Sequence, residues 1–314
     1  MDLKMIYIVF FGGVCGSFAQ NDSLQNHYFK SYNDKITASL YYLDTSNNFQ
    51  IGFTSDNQKK YIDLIPNRKE QLGVSLSYKF IDMSFGYSPR FFDVNKDNSD
   101  SKLFSFNTRF YYKKWMQSFT FINQKGFYAS EENFEVAFPR MRTTKIGGTT
   151  SYIFNDQFSY KTLVNQNEWQ TKSSGSFIPN FSFYYTNLNL NNEPNSSNGD
   201  IYVLSLAPSY FYNFVISNRF LIGAGIAFGA GINSIDGDVS ALYELDLNLK
   251  LAYNKDSFFA FASLNNLNFV QKESPSNRLN DNISTIKLSL GYRFDPPNKV
   301  QEVYEKINQK IKIE

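Results

Sequence analysis

The chain has 314 residues, a formal net charge of +2, and 32 Phe and 22 Tyr. Its mean hydropathy is -0.39 and charged residues make up 19%, so it is rich in aromatic residues and hydrophilic at once. No internal run of about 18 apolar residues exists that could cross a bilayer as a helix, and the small net charge gives no basic field that would gather nucleic acid, so we expect no nucleic-acid partner.

Residues 1–19 have the features of a cleaved secretory signal peptide. Lys4 precedes an apolar stretch at residues 5–14, and small residues stand before a cleavage point after Ala19. The only cysteine, Cys15, lies within the predicted signal peptide, and a lipoprotein acylated at Cys15 is the alternative. Cleavage would leave a mature chain without a thiol, and therefore without disulfides or thiolate metal sites.

Residues 20–34 are predicted to form an N-terminal periplasmic segment before the first strand. They contain His27, the only histidine of the chain. A catalytic base or a zinc ligand must be held in place, whereas chain ends of this kind are usually mobile. We therefore expect no catalytic residue, no metal site, no cofactor and no enzymatic activity.

Residues 35–294 alternate between apolar and polar side chains with a period of two, which is typical of half-buried β-strands. The clearest case is residues 241–253, where one face holds Tyr243, Leu245, Leu247, Leu249, Leu251 and Tyr253. At about 3.3 Å per residue and a tilt near 40°, the two tyrosines are separated by about 25 Å along the membrane normal. That distance matches the apolar band of a transmembrane barrel.

Similar alternation recurs at residues 72–78, 83–87, 104–112, 146–154, 181–185 and 286–294. Short connections are expected near residues 113–114, 155–156 and 254–255, and long polar ones elsewhere. Short turns at one end and long loops at the other are typical of bacterial outer-membrane barrels. The sequence contains about fourteen strand candidates, but the alternation of short and long connections fails between Gln166 and Asp200, so one candidate is miscounted. Because the number must be even if both termini are periplasmic, we expect about 12 or 14 strands.

One strand candidate is unusual in its glycine content. Gly223, Gly225, Gly229 and Gly231 share one face of residues 220–232. These glycines either leave the lumen wall clear for a plug, loop or solute, or help the strand to bend. We favour bending, because glycine kinks are common in curved sheets.

The chain changes character after the last predicted strand. Pro296 and Pro297 end that strand, and apolar residues then recur at helical spacing: Val300, Val303, Tyr304, Ile307 and Ile311. Residues 295–314 are predicted to be a periplasmic tail, with a short amphipathic helix. This helix either docks on a partner or in the barrel mouth, or is a periplasmic appendage.

The candidate functional residues are charged residues expected to face the lumen from the barrel strands: Glu244, Asp246, Lys250, Lys287, Arg293, Arg109 and Lys161. In an open pore, such charges would set ion and solute preference. In a filled lumen, they would instead satisfy one another and stabilise the barrel.

Three short blocks, at residues 65–67 with 72–79, 142–148 and 174–179, resemble the Bacteroidota domain-of-unknown-function family numbered 4421. The resemblance covers most of the mature chain. It implies an outer-membrane β-barrel and carries no activity, cofactor or catalytic residue.

The sequence thus predicts an all-β protein, an antiparallel up-and-down transmembrane β-barrel at residues 35–294 with a short helical tail, exported to the outer membrane and in contact with its lipid. A conduit for small solutes and a structural or assembly component of a secretion or adhesion machine, with protein partners, are the two functional hypotheses. A lipid-acting membrane enzyme is the third, and the single histidine argues against it.

Overall fold

The computed structural model describes residues 28–55, 58–67, 69–92, 95, 101–131, 134–164, 167–189, 198–271 and 277–311. The predicted signal peptide, with Cys15, and His27 lie outside the described residues. Among the residues that are described, no helix is both long and apolar enough to cross a bilayer.

The described residues form fifteen strands and one helix. In chain order they are β1 (Phe29–Ser31), β2 (Ile36–Ser55), β3 (Gln58–Pro66), β4 (Lys69–Tyr78), β5 (Ile81–Tyr87), β6 (Lys102–Tyr112), β7 (Trp115–Glu131), β8 (Phe134–Tyr152), β9 (Glu168–Gln170), β10 (Ser174–Asn189), β11 (Asn198–Val215), β12 (Phe220–Ile235), β13 (Asp238–Lys255), β14 (Phe258–Gln271), β15 (Asn277–Phe294) and α1 (Asn298–Ile311).

Twelve of these strands close into an antiparallel barrel. The closing seam joins β15 to β2 from the pair Phe294–Ile36 to the pair Asn277–Phe53. Closure satisfies the backbone groups that an open sheet edge would expose to lipid, where each unpaired group costs several kcal/mol. The predicted fold class is confirmed, at the lower end of the predicted strand number.

One strand of the barrel sheet, β3, does not run the length of the barrel wall. β3 pairs with the far half of β2, Phe49–Ser55, and its last residues, from Asp63 to Pro66, pair with β7. The near half of β2 pairs instead with β4. β3 therefore bridges β2 and β7 above the shorter strands β4, β5 and β6.

The outer face of the barrel carries a belt of exposed apolar side chains, here called the lipid belt. On β13 it runs from Tyr243 to Tyr253, and Leu249, near its centre, is 44% exposed. On β15 it runs from Ile286 to Phe294, beyond which the outward-facing residues are Ser284 and Asn282. A surface of this kind is stable only in a lipid environment, so the barrel is a transmembrane one.

Both the start of β2 and the end of β15 lie at one end of the barrel, together with short turns such as Lys79–Phe80 and Lys113–Lys114. Such an end faces the periplasm in bacterial barrels. One predicted turn is wrong. Asn155 and Asp156 do not form a short turn but begin the long connection between the adjacent strands β8 and β10, which turns into the barrel.

The lipid belt predicts a depth-dependent response to charge on β13. Leu249→Arg should lower the free energy of unfolding by about 2–4 kcal/mol, because it places a cation near the bilayer midplane. Val239→Arg, at the edge of the same strand, should cost about 0–1 kcal/mol. Guanidinium unfolding in phospholipid vesicles measures both, and equal costs at the two positions would contradict this placement of the belt.

Candidate functional site in the barrel lumen

The periplasmic end of the lumen contains an inner structure, here called the plug, made of residues 28–34, 153–164 and 167–173. Within it, β1 pairs antiparallel with β9 in a small sheet separate from the barrel sheet. Tyr32 and Trp169 pack against the inward-facing wall residues Leu221, Ala252 and Phe259. The sequence assigned residues 20–34 to a periplasmic segment before the barrel, whereas residues 28–34 lie inside its periplasmic end.

A buried glutamine organises the polar interior of the plug. Gln170 Oε1 accepts hydrogen bonds from Ser159 N at 2.8 Å and from Asn213 Nδ2 at 3.1 Å. Gln170 Nε2 donates to the carbonyl oxygens of Tyr28 at 3.1 Å and Gln157 at 2.6 Å. Because Asn213 belongs to β11, this network satisfies the buried amide and attaches the plug to the barrel wall.

The buried ammonium of Lys250 holds the plug from β13. Its Nζ donates to three successive carbonyl oxygens of the plug: Thr162 at 3.0 Å, Leu163 at 3.0 Å and Val164 at 3.1 Å. The ammonium also lies 3.7 Å from the centre of the Phe261 ring. An ammonium has three protons to donate, and all three have acceptors here, which offsets part of the cost of burying the charge.

The glycine face of β12 makes room for the same part of the plug. A Cβ atom at Gly223 would overlap the Leu163 side chain, and one at Gly225 would overlap the Phe211 ring. The interpretation favoured from the sequence, bending alone, is therefore wrong for Gly223. The Leu163 side chain of the plug occupies the space that a side chain at position 223 would fill.

Arg293 holds the other half of the plug. Its guanidinium lies 3.8 Å from the centre of the Tyr32 ring and 4.7 Å from that of Phe259. It donates hydrogen bonds to Asn254 Oδ1 at 2.7 Å and to the carbonyl oxygen of Asp256. Arg293 thus sits between the plug and the barrel wall rather than in open lumen, with a cation–π contact to each.

Two further ion pairs involve the plug. Lys30 contacts Asp256 at 2.7 Å, but the two side chains are 56% and 75% exposed. The hydrogen bond from Lys30 holds the pKa of the Asp256 carboxyl below its ordinary value, and an exposed pair of this kind contributes little to stability. Lys161 contacts Glu168 at 3.5 Å. The prediction that Lys161 lies on a barrel strand is wrong, because it belongs to the plug.

Beyond the plug, the middle of the lumen contains a cavity of about 320 Å³. Five of the predicted charged residues line it: Arg109, Glu244, Asp246, Lys250 and Lys287. Both carboxylates have partners, because Glu244 accepts a hydrogen bond from Ser205, and Asp246 accepts one from Asn265 at 2.9 Å.

Two of the three cations on the cavity wall, Arg109 and Lys287, differ from Lys250 in their contacts. Among the described residues, none makes a hydrogen bond or an ion pair with Arg109 or Lys287. The Lys287 ammonium lies 4.1 Å from the centre of the Tyr41 ring, which is its nearest described contact. Both side chains line the cavity with their charged ends, so they are candidates for contact with a solute.

The exterior side of the cavity is bounded by a packed apolar layer, here called the exterior layer: Phe49, Leu64, Phe127, Ala129, Met141, Tyr184, Ile201, Val203, Leu242 and Phe269. The Tyr184 ring on β10 lies 5.6 Å from the Phe269 ring on β14, so the layer extends across the lumen. The cavity is therefore closed by packed side chains at both ends, by the plug on one side and by the exterior layer on the other.

A buried ion pair accompanies the exterior layer. Lys145 Nζ lies 2.5 Å from Asp281 Oδ2, with the side chains only 1% and 6% exposed. It joins β8 to β15 across the lumen, and Asn47 donates to the same Asp281. Sequence reasoning missed this pair. The alternation around Ile146 could have placed Lys145 on the inward face, but nothing local in the sequence indicates its partner.

No group of three or more His, Cys, Asp and Glu side chains that could hold a metal occurs within the described ranges. The closed strand order, the lipid belt and the occupied lumen define the class of this protein, an outer-membrane type β-barrel with an internal plug. The chain belongs to the family described as Domain of unknown function (DUF4421), whose family model matches residues 20–294.

No curated protein matches the chain. Similar solved structures include the outer membrane protease OmpT from Escherichia coli, at 7% identity and a TM-score of 0.41, with 86% of this chain and 100% of that chain covered. The translocator domain of the autotransporter NalP from Neisseria meningitidis follows at 10% identity and a TM-score of 0.41, with 81% and 88% covered. The COG4313 outer membrane channel from Pseudomonas putida F1 has 8% identity and a TM-score of 0.37, with 83% and 96% covered. Similarity at this level says nothing about the role of this chain.

The geometry of the plug predicts which attachment matters most. Lys250→Met should lower the free energy of unfolding by about 1–3 kcal/mol, since it leaves the carbonyl oxygens of residues 162–164 without a donor. The rate of hydrogen exchange at the plug amides should rise in the same variant. Asp256→Asn, which breaks only an exposed pair, should cost about 1 kcal/mol or less. Equal exchange rates at the plug amides of the two variants would show that Lys250 is not the main attachment of the plug.

Proposed function

We propose that this protein is a gated conduit for small polar solutes, closed in this structure by the plug and the exterior layer. The observation that carries the proposal is the charged cavity between these two closures, with Arg109 and Lys287 facing it. No catalytic step is part of the proposal.

The volume of the cavity and the charges on its wall support a conduit, because a barrel with a filled lumen requires neither. Its volume of about 320 Å³ is far above the roughly 10–15 Å³ that one water requires. A barrel that serves only as a scaffold gains nothing from inward cations without an ion-pair or hydrogen-bond partner, because a charge left away from bulk water is costly unless it is paired. A charged, hydrated space in mid-membrane is instead what a permeating solute requires.

The plug is built so that it can move without opening the barrel. Its strands pair with each other and not with the barrel sheet. Two backbone hydrogen bonds hold its start, at Ile153 and Phe154. The rest of it contacts the barrel through side chains, among them Lys250, Arg293 and Asn213. Displacing the plug therefore breaks side-chain contacts and leaves the backbone ladder of the wall intact.

A structural barrel that serves a secretion or adhesion machine is the second candidate. The packing of the exterior layer and its buried Lys145–Asp281 pair favours it, because these contacts cross the lumen. In that case both closures would be permanent, and the same experiment separates the two functions.

Single-channel conductance in planar bilayers is the direct test. The wild-type protein should be mostly closed, whereas Lys250→Met should show longer and more frequent openings because the plug loses its buried attachment. Asp256→Asn is the matched control and should behave like the wild type. If Lys250→Met stayed silent while hydrogen exchange showed its plug released, the conduit would be ruled out in favour of the structural barrel.

The wall charges predict the ion preference of the open state. In the Lys250→Met background, Arg109→Gln combined with Lys287→Gln should shift the reversal potential in a KCl gradient towards potassium preference, because two wall cations are removed. Asp246→Asn should shift it in the opposite direction. Shifts of the same sign for both changes would show that these side chains do not line the conducting path.

A further inference from the structure

The C-terminal helix α1 starts at a fixed point beside the barrel. Lys35, just before β2, contacts Asp295 at 2.7 Å. Gln301 Nε2 donates to the carbonyl oxygen of Pro296 at 2.9 Å, and Val300 N donates to that of Pro297 at 2.9 Å. The position where α1 leaves the barrel is thus set by contacts on both sides of the two prolines.

The ring contacts of the helix within the described part of the chain lie on the lipid-facing side of the barrel, at its rim. The Tyr304 ring lies 5.7 Å from the Tyr78 ring and 6.2 Å from the Phe80 ring, and Lys79 Nζ lies 4.9 Å from its centre. Tyr78 is on the outward face of β4, in line with the exposed Leu76 and Val74 of the lipid belt. Therefore α1 runs alongside the periplasmic rim of that belt.

The other apolar side chains of α1 that the structure describes are partly exposed. Val300, Val303 and Ile307 are 37%, 56% and 37% exposed, on the same side of the helix as Tyr304. At 3.6 residues per turn, Lys299, Lys306 and Lys310 fall together along one flank of this face. Glu302 and Glu305 fall on the side away from it.

We infer that α1 is an interfacial helix, lying in the headgroup region of the periplasmic leaflet with Val300, Val303 and Ile307 towards the acyl chains. The apolar face continues the lipid belt at its rim, through the Tyr304–Tyr78 contact, so the same lipid that covers the belt covers the helix. The three lysines on one flank complement anionic phospholipid headgroups, and their long side chains reach the phosphates from an apolar surface. A helix of this composition buries its apolar face about 5–10 Å into the boundary between headgroups and acyl chains.

Fluorescent labels at single cysteines test this placement. In the full chain with Cys15→Ser, Ile307→Cys and Glu305→Cys place a label on opposite sides of α1. The protein is reconstituted in phosphatidylethanolamine vesicles containing phosphatidylglycerol. The label at position 307 should be quenched by acyl-chain spin-labelled lipid and shielded from iodide, and the label at 305 should show the reverse, with a depth difference of about 10 Å set by the helix diameter.

The charge component has its own variant and lipid control. Lys299, Lys306 and Lys310 all changed to Gln should reduce acyl-chain quenching at 307 to the level seen in vesicles without phosphatidylglycerol. Heat-modifiable migration in gels checks that each variant has folded as a barrel. Equal iodide access at 307 and 305 would overturn the inference and make α1 a free appendage. Shielding of 307 from both quenchers would also overturn it, since a protein surface would then cover the helix.

Discussion

The burial of one ammonium group determines how the lumen is organised. Lys250 lies inside the barrel, where a charge without acceptors is costly, and three carbonyl oxygens of residues 162–164 supply the acceptors. In the strand register Lys250 pairs with Gly223. The same turn of the plug therefore gives its carbonyls to Lys250 and places Leu163 over the glycine, so one charge and one missing side chain together fix its position.

The inner face of the barrel is divided by chemistry along the membrane normal. At the periplasmic end, polar and small wall residues such as Asn213 and Gly223 receive the plug. At the exterior end, large apolar residues such as Phe127 and Met141 pack against each other. Between them the wall is charged, and of its charged residues Lys250 reaches the plug. The cavity is thus a consequence of two different ways of filling a twelve-stranded lumen, which is too wide to be filled by the wall alone.

The features predicted from the sequence are those that one strand determines by itself. Alternation placed Tyr243 and Tyr253 on the lipid belt and Glu244 and Lys250 in the lumen, since side chains of a strand point to opposite faces in turn. The plug could not be predicted this way. It requires Phe29–Ser31 to pair with Glu168–Gln170, a contact between distant parts of the chain that local periodicity does not encode. Lys161 was misplaced for the same reason.

The attachments of the plug are graded from exposed to buried, and this order bears on the proposed gating. The Lys30–Asp256 pair faces the periplasm and is largely hydrated, so it exchanges readily with water. Arg293 and Lys250 lie deeper and bind through rings and carbonyls that water does not replace as easily. A signal from the periplasm would thus meet the weakest contact first and the strongest last. Under the proposed gating, opening would therefore require an event that releases Lys250.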